Sequence, residues 1–215
     1  MSVADINLAD LMSVADIGGA VDYDCAMVRW QPDSRAKLEQ AALELYGERG
    51  FEHTTVAAIA ERAGLTERTF FRHFADKREV LFAGSGLLEG LLADAVAAVA
   101  PEAPPIDAAI AGVGAMGEMI EQQRGRELAR RRQAIIDASP ELTERELIKM
   151  ATLTGVLATA LGARGADGGE AALAAEIAVA VFRQAFARWV EDDDAQFDAL
   201  VGEALERVRS VTAAV

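Results

Sequence analysis

Glycine punctuation in one short stretch limits what this chain can become more than any other feature. Between Thr54 and Phe74 two helix-sized segments, Val56 to Ala63 and a shorter one ending near His73, flank Gly64, and Gly50 closes the helix before them. Glycine adopts the left-handed turn that ends a helix at little cost. The three segments therefore fold back on one another instead of running on as a rod. Pro32 opens the first helix, Asp33 or Ser34 is placed to cap it, and Leu38, Ala41, Ala42, Leu45 and Tyr46 recur at i, i+3, i+4, i+7 and i+8. Phe51 is expected to plug the core beside it. Thr54 or Thr55 caps the second helix and Thr66 the third. This is helix-turn-helix spacing. Ala60, four residues before Gly64, lets the helices cross closely, while Ile59, Leu65 and Phe70 form the wedge that sets their angle. Phe70 and Phe74, at i and i+4, turn inward, which leaves Thr66, Glu67, Arg68, Thr69, Arg72 and His73 facing outward or sideways.

The rest of the chain also reads as helix. Asp76 with Glu79 makes a capping box for a fourth helix running to about Ala100, where Pro101, Pro104 and Pro105 break it. Helices follow over 106–123 and 126–138, with a break near Gly125. Ser139 and Pro140 cap and begin another, to about Ala163. Asp167 with Glu170 starts the next, to about Val190, and the last spans roughly Ala195 to Ser210. No stretch alternates with period two, so the expectation is an all-α chain of about nine helices without a sheet. Residues 1–31 read as a poorly ordered acidic tail, 32–80 as a helix-turn-helix domain, and 81–215 as a larger helical domain. The tail holds Met1 to Ile6 and repeats it as Met12 to Ile17. Two copies fall short of the ~3 that a structural array needs, so the repeat reads as a duplicated start. Cys25 alone cannot form an internal disulfide, and no uncharged apolar run approaches the ~18 residues of a membrane span. A soluble protein of a reducing cytoplasm is the expectation, with no membrane partner.

Charge separates the two parts. Lys and Arg number 21 against 35 Asp and Glu, a net charge of −14, which taken globally argues against affinity for phosphate. Arg62 to Arg78 reverses this, with Arg62, Arg68, Arg72, Lys77 and Arg78 against Glu67 and Asp76. The basic residues gather on the one element whose shape suits a DNA groove.

The run from Arg35 to Phe82, and above all Thr54 through Phe74 to Phe82, resembles the N-terminal DNA-binding domain of TetR-type transcriptional regulators. The resemblance implies a homodimer that sets two recognition helices in successive major grooves of a palindromic operator. It also implies DNA contact by Thr55, Arg68, Thr69, Phe71, Arg72, His73 and Lys77, with Lys77 near a phosphate; Thr66 belongs to the same candidate face. Phe71 stands where the family often has tyrosine, so a phosphate-binding hydroxyl is missing, and the ring either meets a thymine methyl or packs. His53 reads as a solvated turn residue.

In the larger domain, Met116, Met119, Ile120, Ile135, Met150, Leu153 and Leu157 are candidates to line a cavity for a lipophilic effector, since methionine adapts to irregular apolar shapes. Arg124, Arg126, Arg130, Arg131 and Arg132 either grip an anionic head at its mouth or form a solvated face. The segments Arg130 to Leu142 and Phe182 to Trp189 resemble a sub-group of these regulators that senses acyl-CoA-like molecules. Two apolar stripes on the helix after residue 170 must be buried on two sides. Phe182, Phe186 and Trp189, with Phe197, Leu200 and Leu205 of the last helix, are the expected dimer contacts. No nucleophile and base pair up, both histidines lie in the first domain, and Cys and His do not cluster, so neither an enzyme, a metal nor a cofactor is expected. Glu191 to Asp194 are helix-start acids. A ligand-released repressor is the reading; a helix-turn-helix module without an effector is the alternative.

Overall fold

A computed structural model describes residues 33–213; the repeated N-terminal segment, the rest of the tail and Cys25 lie outside the described residues. The described residues form nine helices and no strand: α1 (Asp33–Arg49), α2 (Val56–Arg62), α3 (Glu67–His73), α4 (Glu79–Phe82), α5 (Ser85–Ala98), α6 (Pro105–Asp137), α7 (Pro140–Ala163), α8 (Gly168–Glu191) and α9 (Phe197–Ala213). The expected break near Gly125 is present, with φ +70° and ψ 161° inside α6.

Several caps follow the sequence. The Thr55 hydroxyl accepts from the Ala58 N–H at 3.2 Å and the Thr66 hydroxyl from the Thr69 N–H at 3.2 Å. Thr54 is buried instead, and its hydroxyl donates to the Gly50 carbonyl at 2.9 Å. The Asp76 carboxylate accepts from the Glu79 N–H at 3.1 Å, while Glu79 forgoes the return bond and pairs with Arg145 at 2.8 Å. The helix expected from there to Ala100 is not continuous. Ala83 is extended and Gly84 has φ +89°, so the backbone breaks there, and α5 restarts as Leu88 N–H bonds the Gly84 carbonyl. Ser139 makes no side-chain cap either: its hydroxyl is buried without a hydrogen bond, and Thr143 closes the junction by donating to the Ile136 and Ser139 carbonyls.

Two apolar clusters organise the described residues. The first joins Leu38, Leu45, Tyr46, Phe51, Ile59, Phe70, Phe74 and Phe82 to Ile135, Ile136 and Leu142, so the end of α6 and start of α7 close the core of the three-helix head. The second is built from α5 to α9 around Leu92, Val113, Met116, Leu157, Phe182, Trp189 and Phe197. Two stretches, Glu79–Ala98 and Pro140–Ala163, are long and apolar enough by length and composition to cross a membrane. The first is broken at Gly84, and both give leucines to the second cluster.

The expected dimer contacts need correction. Phe182, Trp189, Phe197 and Leu200 are all buried within the chain itself. Phe182 stacks on Phe186 at 5.7 Å and meets Phe197 at 5.8 Å, and Trp189 meets Phe197 edge-on at 6.1 Å. This stripe of α8 is spent on packing α9 and α6; on the other, Val181 is buried and Ile177 packs on the same cluster, while Leu173 is 63% exposed. Phe186 and Leu205 are half-buried.

Candidate nucleic-acid interface and effector cavity

Helix α3 is only seven residues long, so its own hydrogen bonds do little to hold it. Its placement comes from Phe70, fully buried and 5.4 Å from the Phe74 ring, and from the Thr66 cap. With Phe70 pointing in, the next residue must point out: Phe71 is 55% exposed. Arg68 and Arg72 are exposed on the same short helix. Among the described residues Arg68 has no hydrogen bond or ion pair, and Arg72 meets only the His73 ring at 3.5 Å. Thr69 is half-buried, its hydroxyl 3.1 Å from that of Thr66. Burial, then Arg72 and Arg35, hold the His73 imidazole below its usual range. Thr55 and Thr66 are exposed beside these groups. The face therefore offers two guanidiniums without a carboxylate partner, hydroxyls and one apolar ring, a mixture suited to phosphates, base edges and a methyl group.

The other basic residues of this stretch are engaged. Arg62 is clamped between Glu44 at 3.2 Å and Glu48 at 2.8 Å. Arg78 pairs with Asp76 at 2.6 Å and with Glu141 on α7 at 3.2 Å. Lys77 was expected near a phosphate, but its ammonium donates to the Phe51 and Thr54 carbonyls at 2.9 and 3.1 Å and lies 4.1 Å from the Phe51 ring centre. Both carbonyls belong to the loop between α1 and α2, so Lys77 ties that turn to the start of α4. Tyr46 completes the tie, donating to the Lys77 carbonyl at 2.6 Å, and burial, then Asp76, pushes its phenol up. The local basic excess thus narrows to Arg68 and Arg72. Sequence reasoning missed this because the partners lie up to 63 residues away, beyond any helical spacing.

A cavity of about 630 Å³ opens between α5, α6, α7 and α8. Met116, Met119, Ile120 and Met150 line it, joined by Phe182 and Phe186. The other three candidates do not: Ile135 belongs to the head's core cluster, and Leu153 and Leu157 are buried in the second cluster away from the wall. Arg126, Arg130 and Arg131 form no grip on an anion at the mouth. Arg126 and Arg130 donate to the Asp192, Ala195 and Val190 carbonyls at the end of α8, and Arg131 pairs with Glu127. Arg132 does reach the cavity, where it pairs with Glu146 at 2.9 Å. Its Nε also donates to the Leu81 carbonyl at 2.8 Å, and its guanidinium and that of Arg145 each lie 5.1 Å from the Phe82 ring centre. The last turn of α4 is thus bolted to α6 and α7, and Gly84, Leu87 and Leu88 just beyond it form part of the cavity wall. Among the described residues no His, Cys, Asp and Glu cluster could hold a metal.

Comparison with known proteins agrees with this geometry. Residues 39–83 match the family described as bacterial regulatory proteins, tetR family, and residues 103–213 match the MftR C-terminal domain. Over 47 residues the chain is 55% identical to the HTH-type transcriptional regulator TcmR of Streptomyces glaucescens, a stretch covering 22% of this chain and 21% of TcmR, so only about a fifth of that relative is matched. The fold is similar to that of the SmeT–triclosan complex, with a TM-score of 0.56 at 18% identity, covering 81% of this chain and 90% of the other. It is also similar to that of FadR from Bacillus subtilis in complex with stearoyl-CoA, with a TM-score of 0.53 at 20% identity, covering 80% and 95%.

Proposed function

We propose that this chain, a DNA-binding transcriptional regulator that belongs to the tetR family of bacterial regulatory proteins, is a repressor released from its operator by a lipophilic effector. Residues 32–80 read the DNA, in the cytoplasm, and residues 81–215 take the effector and form the homodimer. Two copies of α3 enter successive major grooves of a palindromic site, with Arg68 and Thr69 at base edges and Thr55, Thr66, Arg72 and His73 at or near the backbone. The exposed Leu173 of α8, with Leu205 of α9, belongs to the isologous contact.

One observation carries the effector half of this reading: the cavity wall and the break at Gly84 share residues. An occupant between Met116 and Leu88 touches the segment immediately after α4, the helix whose last turn is held by Arg132. A ligand shifts such an equilibrium only by its differential affinity for the two arrangements. SmeT holds triclosan and the FadR of Bacillus subtilis holds stearoyl-CoA, each with a large apolar part, which supports the lipophilic class. An acyl-CoA-like effector is the version to try first.

The test is a titration of duplexes from the protein's own upstream region against scrambled duplexes of equal length, with and without lauroyl-CoA. Tight binding to one upstream duplex at two chains per site, released by the acyl-CoA, is the expected result. Equal affinity for all duplexes would remove the repressor reading, and specific binding indifferent to acyl-CoA would remove that effector.

A further inference from the structure

We infer that the effector cavity is a composite site, closed along one edge by the partner's Leu173; this rests on the homodimer and on the cavity being where the effector binds. The cavity is not sealed by its own chain. Ala180, Arg183, Gln184, Ala187 and Glu191 border it, and all five are exposed. Leu173, 63% exposed, lies on the same side of α8 but about 21 Å along the helix from Ala187, outside the cavity wall. Leu173, Ala180 and Ala187 recur every seven residues, a spacing that drifts only about 20° around a helix per step. The three therefore form one line down the outward side of α8.

A second copy of the chain is the occupant that fits this line. With the two α8 helices antiparallel and a two-fold axis at Ala180, each residue faces the one equally far from Ala180 on the other side. Leu173 then meets the partner's Ala187, a large side chain against a small one, which lets the helices pack closely. Glu176 meets the partner's Gln184 and Arg183. Neither Glu176 nor Arg183 has an ion pair or side-chain hydrogen bond within its own chain among the described residues, so both are available. A parallel pairing along the same line would set Glu176 on Glu176 and Arg183 on Arg183, and like charges disfavour it. Only the two ends of the antiparallel pair bring acids together, Glu191 beside Glu170, and there solvent weakens the repulsion. The partner's Leu173 thus covers the rim at Ala187 and Gln184 that the chain itself leaves open.

Ala180→Cys in a Cys25→Ser chain tests the register. On oxidation it is expected to join two chains by a disulfide, because residue 180 faces itself across the axis. Ala172→Cys is the control: it is exposed on the same helix, but this register sets it about 24 Å from its mate. Isothermal titration of the cross-linked Ala180→Cys dimer with dodecanol, below its aggregation concentration, then tests the cavity. Adding Leu173→Ala to that locked dimer should weaken dodecanol about fivefold, the loss expected from trimming a partly covered leucine. No cross-link at Ala180, in a chain that sediments as a pair, overturns the inference and leaves the homodimer standing; a chain that sediments singly removes both. A cross-link with dodecanol affinity indifferent to Leu173→Ala overturns the composite site, and no dodecanol binding with Leu173 in place removes the effector cavity and the inference with it.

Discussion

Phe70→Ala is expected to cost about 3–5 kcal/mol of stability and to abolish sequence-specific DNA binding with it. The ring is fully buried, edge-on to Phe71 at 5.5 Å and tilted against Phe74 at 5.4 Å. Its removal leaves a void at the junction of α1, α2 and α3, where short helices have little stability of their own with which to resist collapse. Denaturant unfolding measures the first effect and a duplex titration the second. Phe71→Ala is the matched control: on the neighbouring, half-exposed ring the stability change should stay within about 0.5 kcal/mol. Similar losses from the two substitutions would contradict the assignment of inward and outward faces to α3.

A methyl group on Gly117 is expected to act against the usual rule for helices. Alanine in place of glycine normally favours a helix by about 1 kcal/mol. A Cβ at Gly117 would overlap the Phe197 ring, which is buried against Phe182 and Trp189 and has nowhere to turn. Overpacking of this kind costs roughly 1–3 kcal/mol beyond the propensity gain, so Gly117→Ala should lower the midpoint of thermal unfolding by about 2–12 °C for a chain of this length. Gly114→Ala lies one turn earlier on α6, where a Cβ meets nothing within 4 Å, and it should be neutral or raise the midpoint. A rise for both would show that α9 does not pack on α6 through Phe197.

The difference between what the sequence disclosed and what it hid follows from the range of the forces involved. Thr55, Thr66 and Asp76 act within three residues of themselves, and their caps are where the pattern of short polar residues ahead of apolar runs places them. Phe70 and Phe74 were legible because helical period alone sends them to one side. Gly84 was not. An isolated glycine costs a helix about 1 kcal/mol, which a strong apolar period reads straight through, and only the packing around Leu81 and Phe82 decides that the chain turns there. The aromatic stripe of α8 was visible, but a helix apolar on two faces does not reveal which face its own chain will take. Phe182 and Trp189 went to α6 and α9, Val181 of the other face is buried as well, and Leu173 is left outward. Long-range pairing was the least accessible. Lys77 and Arg132 looked like free cations in one dimension, and each is committed in three to a carbonyl contributed by a distant turn.

The central claim is that Arg68 and Arg72 form the unpaired basic edge of a helix that enters DNA, while Lys77 serves the fold. Competition titration of Arg68→Ala between the operator duplex and a scrambled duplex tests it most directly. The account predicts a loss of about 1–3 kcal/mol on the operator, little loss on the scrambled duplex, and relaxed base preference at one position of each half-site. Operator affinity unchanged in Arg68→Ala, or an equal loss on both duplexes, would contradict it.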